Sequence, residues 1–184
     1  MNRWEYPDNR TDFKLEASRF FLEKAQKINN IAGGEGHFLI QVILDGFLAE
    51  MIGAKDSLLH EINNNFKLNI PIKCVNLENI NLRLNEKITK KIAREVLRDL
   101  NQISQREHWL WMLNEYRNHS IHRNIIPRNI TVSPGVYLKI HLRKDPLDPN
   151  SGEGPELITF MKDSFHKMKK LVIKVRENYS IKTN

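Results

Sequence analysis

Apolar residues recur at helical spacing along most of the chain, and the interruptions mark the ends of the predicted helices. The segment from Asp12 to Ile31 follows this period, and Gly33-Gly34 then ends a first predicted helix. The residues expected to face the core there are Phe13, Ala17, Phe20, Phe21, Ala25 and Ile28. A broad apolar pattern from Glu35 to Phe66 predicts a long second helix in a central position, with Gly46 and Gly53 as candidate bends.

The middle of the chain is harder to assign. The segment from Asn76 to Leu84 is ambiguous, and a basic amphipathic helix is predicted from Asn85 to Ile103. The residues expected to face inward in that helix are Ile88, Ile92, Val96 and Leu100. Ser104 and Glu107 have the spacing of a capping box, so a fourth helix is predicted to begin at Ser104 and to run through residues 117–122.

Prolines gather in the last third of the chain. Five of the seven fall between Pro127 and Pro155, where residues 136–142 alternate like a short strand, so a loop with a small hairpin at most is expected. The final helix is predicted to open near Pro155. It directs eight residues inward: Leu157, Phe160, Met161, Phe165, Met168, Leu171, Val172 and Val175. The predicted fold is all-α, an antiparallel bundle of about five helices in one domain over residues 1–184, with this insertion before the last helix.

Composition narrows the cellular setting. The 29 Lys and Arg against 22 Asp and Glu give a net charge of +7, which favours an anionic partner such as RNA. Cys74 is the lone cysteine, so no intrachain disulfide can form and a reducing compartment is expected. The longest apolar stretch, Phe38 to Ala49, is broken by Gln41 and Asp45 and is shorter than the roughly 20 residues that span a bilayer. Since the start of the chain also lacks the apolar core of a secretory signal, we expect a soluble cytoplasmic protein with no membrane association.

Candidate chemistry is concentrated in one stretch of the predicted fourth helix, Glu115-Tyr116-Arg117-Asn118-His119-Ser120-Ile121-His122-Arg123. A guanidinium stays charged at any working pH and can hold a phosphate through two hydrogen bonds, whereas an imidazole gives or takes a proton near neutrality. Together these groups suit phosphodiester chemistry that needs no metal or other cofactor.

The helical spacing of this cluster favours a site made by two copies of the chain. At about 100° per residue, Asn118 and His122 lie nearly on one line, while Arg117 lies about 140° around the helix from His122. Arg117 instead shares a stripe with Leu110, Leu113 and Ile121, which something is expected to cover. If a second copy packed there about a two-fold axis, Arg117 and His122 of both copies would converge on one cleft. The spacing therefore predicts a homodimer.

The segment Arg117-Asn118-His119-Ser120-Ile121-His122 resembles the motif of the HEPN superfamily (higher eukaryote and prokaryote nucleotide-binding domains). That motif has an arginine followed by a polar residue, with a histidine after four to six intervening positions, late in a helical bundle. The resemblance implies a dimerising bundle of four or five helices, often a metal-independent endoribonuclease of toxin-antitoxin and other defence systems, with an antitoxin as a further candidate partner. It implies that Arg117 binds the scissile phosphate, His122 acts as general base or acid, and Asn118 holds the backbone or the histidine. The expected products carry a 2′,3′-cyclic phosphate and a 5′-hydroxyl.

Three other interpretations stay open. Many members of the superfamily have lost catalysis, so a non-catalytic module that binds nucleotide or a partner protein is one alternative. In a second, Arg117 pairs with a carboxylate such as Glu115 or Asp99, and the histidines only cap or solvate the helix end. In a third, Glu115, His119 and His122 lie at spacings of four and three on one helix face and hold a divalent metal.

Other residues are candidates for contact with RNA. Arg123, Arg128 and His119 are the expected contacts outside the catalytic set. Trp109 and Trp111 are candidates for stacking on a base, although their apolar neighbours favour core or dimer packing for at least one of them.

Overall fold

Helices make up most of the described part of the chain. The computed structural model describes residues 9–28, 34–87, 97–98, 100–106, 108–122, 126, 128–133, 137–148 and 150–179. The helices are α1 (Arg10–Ile28), α2 (Gly34–Asn65), α3 (Leu77–Lys87), α4 (Trp109–His122) and α5 (Leu157–Tyr179), with a 3-10 turn at Ile72–Cys74. The strands are β1 (Arg128–Ser133), β2 (Tyr137–Arg143) and β3 (Glu153–Glu156). The fold is therefore mostly helical with one small sheet.

The long helix α2 lies at the centre of the bundle, as the sequence predicts. Helices α1, α3, α4 and α5 all contact it. By length and composition alone, Glu35–Asn65 is long and apolar enough to cross a membrane. Leu44, Phe47, Met51 and Leu58 on this helix are nevertheless fully buried, because the neighbouring helices cover them. Such packing is compatible with the core helix of a soluble protein.

The buried face of α1 differs from the predicted one. Its buried residues are Thr11, Leu15, Ser18, Leu22 and Ala25, whereas Phe20 is 40% exposed. Gly46 of α2 helps to set which face of α1 packs against α2, because a Cβ atom placed there would lie 2.5 Å from Cζ of Phe21. The glycine thus lets an aromatic ring of α1 approach the backbone of α2. Gly46 therefore allows close contact between α1 and α2, and α2 continues as one helix through this residue.

The ambiguous segment after residue 76 is helical. The Asn76 side chain accepts a hydrogen bond from the backbone N–H of Asn79 at 2.8 Å and so caps the start of α3, and Ile80 and Leu84 anchor that helix in the core. The predicted basic helix from 85 to 103 is only partly described: residues 85–87 belong to α3, residues 88–96 lie outside the described residues, and 97–98 with 100–103 are helical. Leu100 is buried, as predicted.

The predicted start of the fourth helix at Ser104 is wrong, because α4 begins at Trp109. The Ser104 hydroxyl donates to the carbonyl of Leu100 at 2.6 Å, a bond back into the preceding helix. Ser104 therefore belongs to the end of one helix rather than to the cap of the next. Glu107, the other half of the predicted capping box, lies outside the described residues.

The insertion before the last helix holds one more strand than predicted. Strands β1 and β2 form an antiparallel hairpin, and β3 pairs with the other edge of β2. Pro155 lies within β3, and α5 starts at Leu157, where the Glu156 carboxylate accepts the N–H groups of Ile158 and Thr159 at 3.1 and 2.7 Å. All eight residues predicted to face inward on this helix are buried.

Two polar contacts fix the insertion and the far end of the bundle. The Tyr116 hydroxyl donates to the carbonyl of Arg143, joining α4 to β2, and burial raises the pKa of Tyr116, so the phenol keeps the proton that it donates. At the other end, Arg176 of α5 donates to both carboxylate oxygens of Glu61, at 3.0 and 2.9 Å, and to Asp12 at 2.8 Å. These ionic bonds join α1, α2 and α5.

Candidate active site

Helix α4 runs from the core to an open end. Leu110, Leu113 and Tyr116 are buried, so the early part of the stripe that Arg117 shares is covered within the chain. One turn later, Ile121 is 53% exposed. The last turn of α4, which carries the sequence-predicted residues, therefore lies at the surface while the rest of the helix holds it in place.

Arg117 is half-buried at this end. Its Nη1 donates to the Oδ1 atom of Asn118 at 3.3 Å, and its Nε atom is buried without a hydrogen-bond partner among the described residues. The alternative ion pair with Glu115 is not formed, and Asp99 lies outside the described residues. Because a buried N–H group without a partner is costly, this guanidinium lacks one acceptor in the described part of the chain.

The histidines differ in their surroundings. His122, the last residue of α4, is exposed, whereas His119 is half-buried and its Nδ1 atom has no partner in the described part of the chain. Asn118 and His122 are one turn apart and share a helix face, whereas Arg117 lies about 140° away from His122. One copy of α4 thus brings Arg117 and Asn118 together and leaves Arg117 and His122 on different sides.

A polar network that the sequence analysis missed supports the last turn of α4. The Ser120 hydroxyl donates to Asp45 of α2, and the Gln41 side-chain amide donates to the same carboxylate oxygen at 2.7 Å. Gln41 in turn accepts a hydrogen bond from Nη1 of Arg128 at 2.7 Å. This chain of contacts joins β1, α2 and α4. Its only signal in the sequence is that Gln41 and Asp45 interrupt the apolar run of the second helix.

Hydrogen bonds to α2 fix the side chain of Arg128, which the sequence predicts to contact RNA. Its Nη2 donates to the carbonyl of His37 at 3.0 Å, so both Nη1 and Nη2 form hydrogen bonds within the chain. Burial lowers the pKa of Arg128, and the nearby Asp45 carboxylate opposes that shift. The arginine therefore provides a fixed positive charge beside α2. Arg123, the other arginine predicted to contact RNA, lies outside the described residues.

Exposed apolar side chains flank this polar network. Phe38 is 68%, Val42 49%, Ile121 53% and Ile130 39% exposed, and we call these four residues the apolar patch. Phe38 and Val42 lie one turn apart on α2, and the hydrogen bonds of Ser120 and Arg128 bring α4 and β1 beside them. Exposed apolar groups rimmed by polar residues are typical of interaction surfaces.

The described part of the chain contains no cluster of side chains that could hold a metal ion. Glu115, His119 and His122 are all described, and no three His, Cys, Asp or Glu side chains there are placed to share an ion. Their common helix face does not bring them to one point.

The arrangement therefore offers a half-buried guanidinium, an exposed imidazole and exposed apolar side chains on neighbouring elements. An anion held at Arg117 and a proton donor or acceptor at His122 are the parts that phosphodiester cleavage requires. Comparison of the chain with family models, with curated proteins and with solved structures finds no match.

Proposed function

We propose that this protein is a HEPN-like, metal-independent endoribonuclease that acts as a homodimer. The observation that carries the proposal is that Arg117, whose buried Nε has no hydrogen-bond partner among the described residues, and the exposed His122 both lie near the C-terminal end of α4, within a mostly helical bundle. The net charge of +7 favours a polyanionic substrate.

The dimer follows from the angle between the two key residues. Because Arg117 and His122 lie about 140° apart on α4, a cleft that uses both needs a second helix end opposite the first. The apolar patch gives a second copy a surface to bury at that place. In such a dimer both copies contribute Arg117 and His122 to one cleft.

The reaction is a transfer within the RNA strand. Arg117 binds the non-bridging oxygens of the scissile phosphate and stabilises their charge in the transition state. One His122 imidazole takes the proton from the ribose 2′-hydroxyl as the 2′ oxygen forms a bond to phosphorus. The bond from phosphorus to the 5′ oxygen then breaks, and an imidazolium, supplied by His122 of the other copy, protonates that oxygen. The products are a 2′,3′-cyclic phosphate and a 5′-hydroxyl.

The test compares wild-type protein with His122→Ala on total RNA in EDTA, followed by end-group analysis of the fragments. We expect cleavage with cyclic phosphate ends by the wild type and a loss of at least about 100-fold in the variant, since general acid-base groups contribute roughly 10²–10⁴-fold. His166→Ala is the matched control, because His166 is an exposed histidine of α5. Cleavage by His122→Ala at the wild-type rate would refute the mechanism.

A non-catalytic, nucleotide-binding module is the alternative, and the Nε of Arg117, which has no partner among the described residues, fits it equally well. Under this alternative both proteins leave RNA intact, and Arg117→Ala weakens nucleotide binding. Cleavage of RNA by the wild type in EDTA would exclude it.

A further inference from the structure

A cavity of about 210 Å³ lies beside the first half of α4, away from the apolar patch. Leucine side chains of α2, α3 and α4 form much of its wall. Its other lining residues are Trp111, Asn114, Ser104 and Lys55. The lining thus includes an aromatic residue, two residues that can form hydrogen bonds and one cationic residue.

Size and charge limit what this cavity can take. Pockets for drug-sized ligands have about 300–1,000 Å³, so the space here suits one small ring system. Lys55 is paired with Asp56 at 3.0 Å, but the Asp56 side chain is 55% exposed, and such surface pairs are weak. The Arg106 guanidinium lies 6.0 Å from the centre of the Trp111 ring, but it is paired with Asp145 at 3.3 Å. Lys55 therefore favours an anionic group, and Trp111 favours a flat ring.

Position links the cavity to the candidate active site. Trp111, Asn114, Asn118 and His122 follow one another at helical spacings of three, four and four, so they share one face of α4. With a rise of about 1.5 Å per residue, Trp111 and His122 are roughly 16 Å apart along the helix. A single strand bound at His122 reaches the cavity within about five nucleotides, at roughly 3.4 Å or more per nucleotide.

We propose that this cavity is a base-binding subsite for single-stranded RNA. One unpaired base stacks on Trp111, the Asn114 amide and the Ser104 hydroxyl meet its polar edge, and Lys55 contacts the adjoining phosphate. The inference deepens the proposed ribonuclease function and rests on it for RNA as the ligand. It gives the enzyme a second contact with its substrate, several nucleotides from the bond that breaks.

The test titrates each of the four ribonucleoside 5′-monophosphates into wild-type and Trp111→Leu protein, with binding followed by NMR and, in the wild type, by the signal of the Trp111 indole. Trp109→Leu is the matched control, because Trp109 lies on the same helix and packs against the core. Trp111→Leu should weaken binding of at least one monophosphate by roughly five- to 150-fold, the range for a lost base stack. Trp109→Leu should leave that affinity unchanged, and inorganic phosphate should not shift the Trp111 indole signal.

A second measurement does not depend on the tryptophan. With a short single-stranded RNA in EDTA and His122→Ala protein, Lys55→Gln should reduce the slope of log affinity against log salt by about 0.7, the value for one phosphate contact. Lys170→Gln, on the exposed face of α5, is its control and should leave a steeper slope than Lys55→Gln.

Three results overturn the subsite. They are equal monophosphate affinity in wild type and Trp111→Leu, no binding to wild type at millimolar ligand, and inorganic phosphate competing as well as the monophosphate. If wild type still cleaves RNA in EDTA under any of these results, the ribonuclease stands and only the subsite is lost. Binding that depends on Trp111 in a protein that leaves RNA intact supports the subsite and refutes the ribonuclease.

Discussion

Replacing Phe38 by serine separates association from folding, because the ring is 68% exposed in one copy. An enclosed aromatic side chain buries about 150–250 Å², so roughly 100–170 Å² of Phe38 remains for a partner to cover. At about 25 cal/mol per Å², that area is worth on the order of 2.5–4 kcal/mol. We take ~2 kcal/mol per copy, since an interface rarely encloses the whole ring and association has its own costs.

In the proposed two-fold dimer, each interface contains the substitution twice. The dimer should therefore lose ~4 kcal/mol, and its dissociation constant should rise by about 10³-fold. Sedimentation equilibrium over a concentration series measures this shift, and RNA cleavage by the variant should fall at dilution and recover at high protein concentration. That recovery distinguishes dissociation from misfolding.

The matched control is Ile72→Ser, because Ile72 is 80% exposed and lies in the 3-10 turn outside the apolar patch. The serine there should leave both association and cleavage at wild-type levels. A dissociation constant of Phe38→Ser within about threefold of wild type would refute the dimer surface, as would an equal loss from Ile72→Ser.

Two further predictions concern stability. Burial works to raise the pKa of Glu61, but hydrogen bonds, led by those from Arg176, outweigh it and lower the pKa. The stabilisation by the ionised Glu61 is therefore present at neutral pH and lost as pH falls below about 4.5. Glu61→Gln should lower the free energy of unfolding in urea by about 1–3 kcal/mol at pH 7, and this deficit should shrink towards pH 3. A deficit that does not depend on pH would contradict this prediction. Gly46→Ala should destabilise by about 1 kcal/mol, because overpacking against Phe21 outweighs the helix propensity of alanine, and combining it with Phe21→Leu should reverse the sign.

Sequence periodicity predicts a helix face well where one stripe holds all the large apolar residues. Helix α5 is such a case, and every residue predicted to face inward is buried. Helix α1 is not, because it carries more aromatic residues than it buries. Its buried stripe includes Thr11 and Ser18, while the position of Phe21 depends on Gly46 of another helix. Contacts between α1 and α2 therefore determine which face of α1 is buried, and the residue pattern of α1 alone does not contain that information.

In the candidate site, too, local spacing is visible in the sequence, whereas contacts between distant residues are not. Arg117, Asn118 and His122 lie within six consecutive residues, and their angular relation follows from helix geometry alone. The support of their turn by Asp45 joins residues 75 positions apart, so no local spacing announces it. The interruption of an apolar helix by two polar residues was visible, but its partners were not.

In the proposed dimer, these polar residues bear on the apolar patch. Asp45 lies three residues after Val42 on α2, so its carboxylate would be close to that interface, where an unpaired buried charge is strongly unfavourable. Arg128 supplies the opposite charge through Gln41, so the pair enters the interface with no net charge. Excluding water there strengthens these hydrogen bonds. In the proposed dimer, the network thus lets α2 present apolar side chains to a partner while it holds the turn that carries His122.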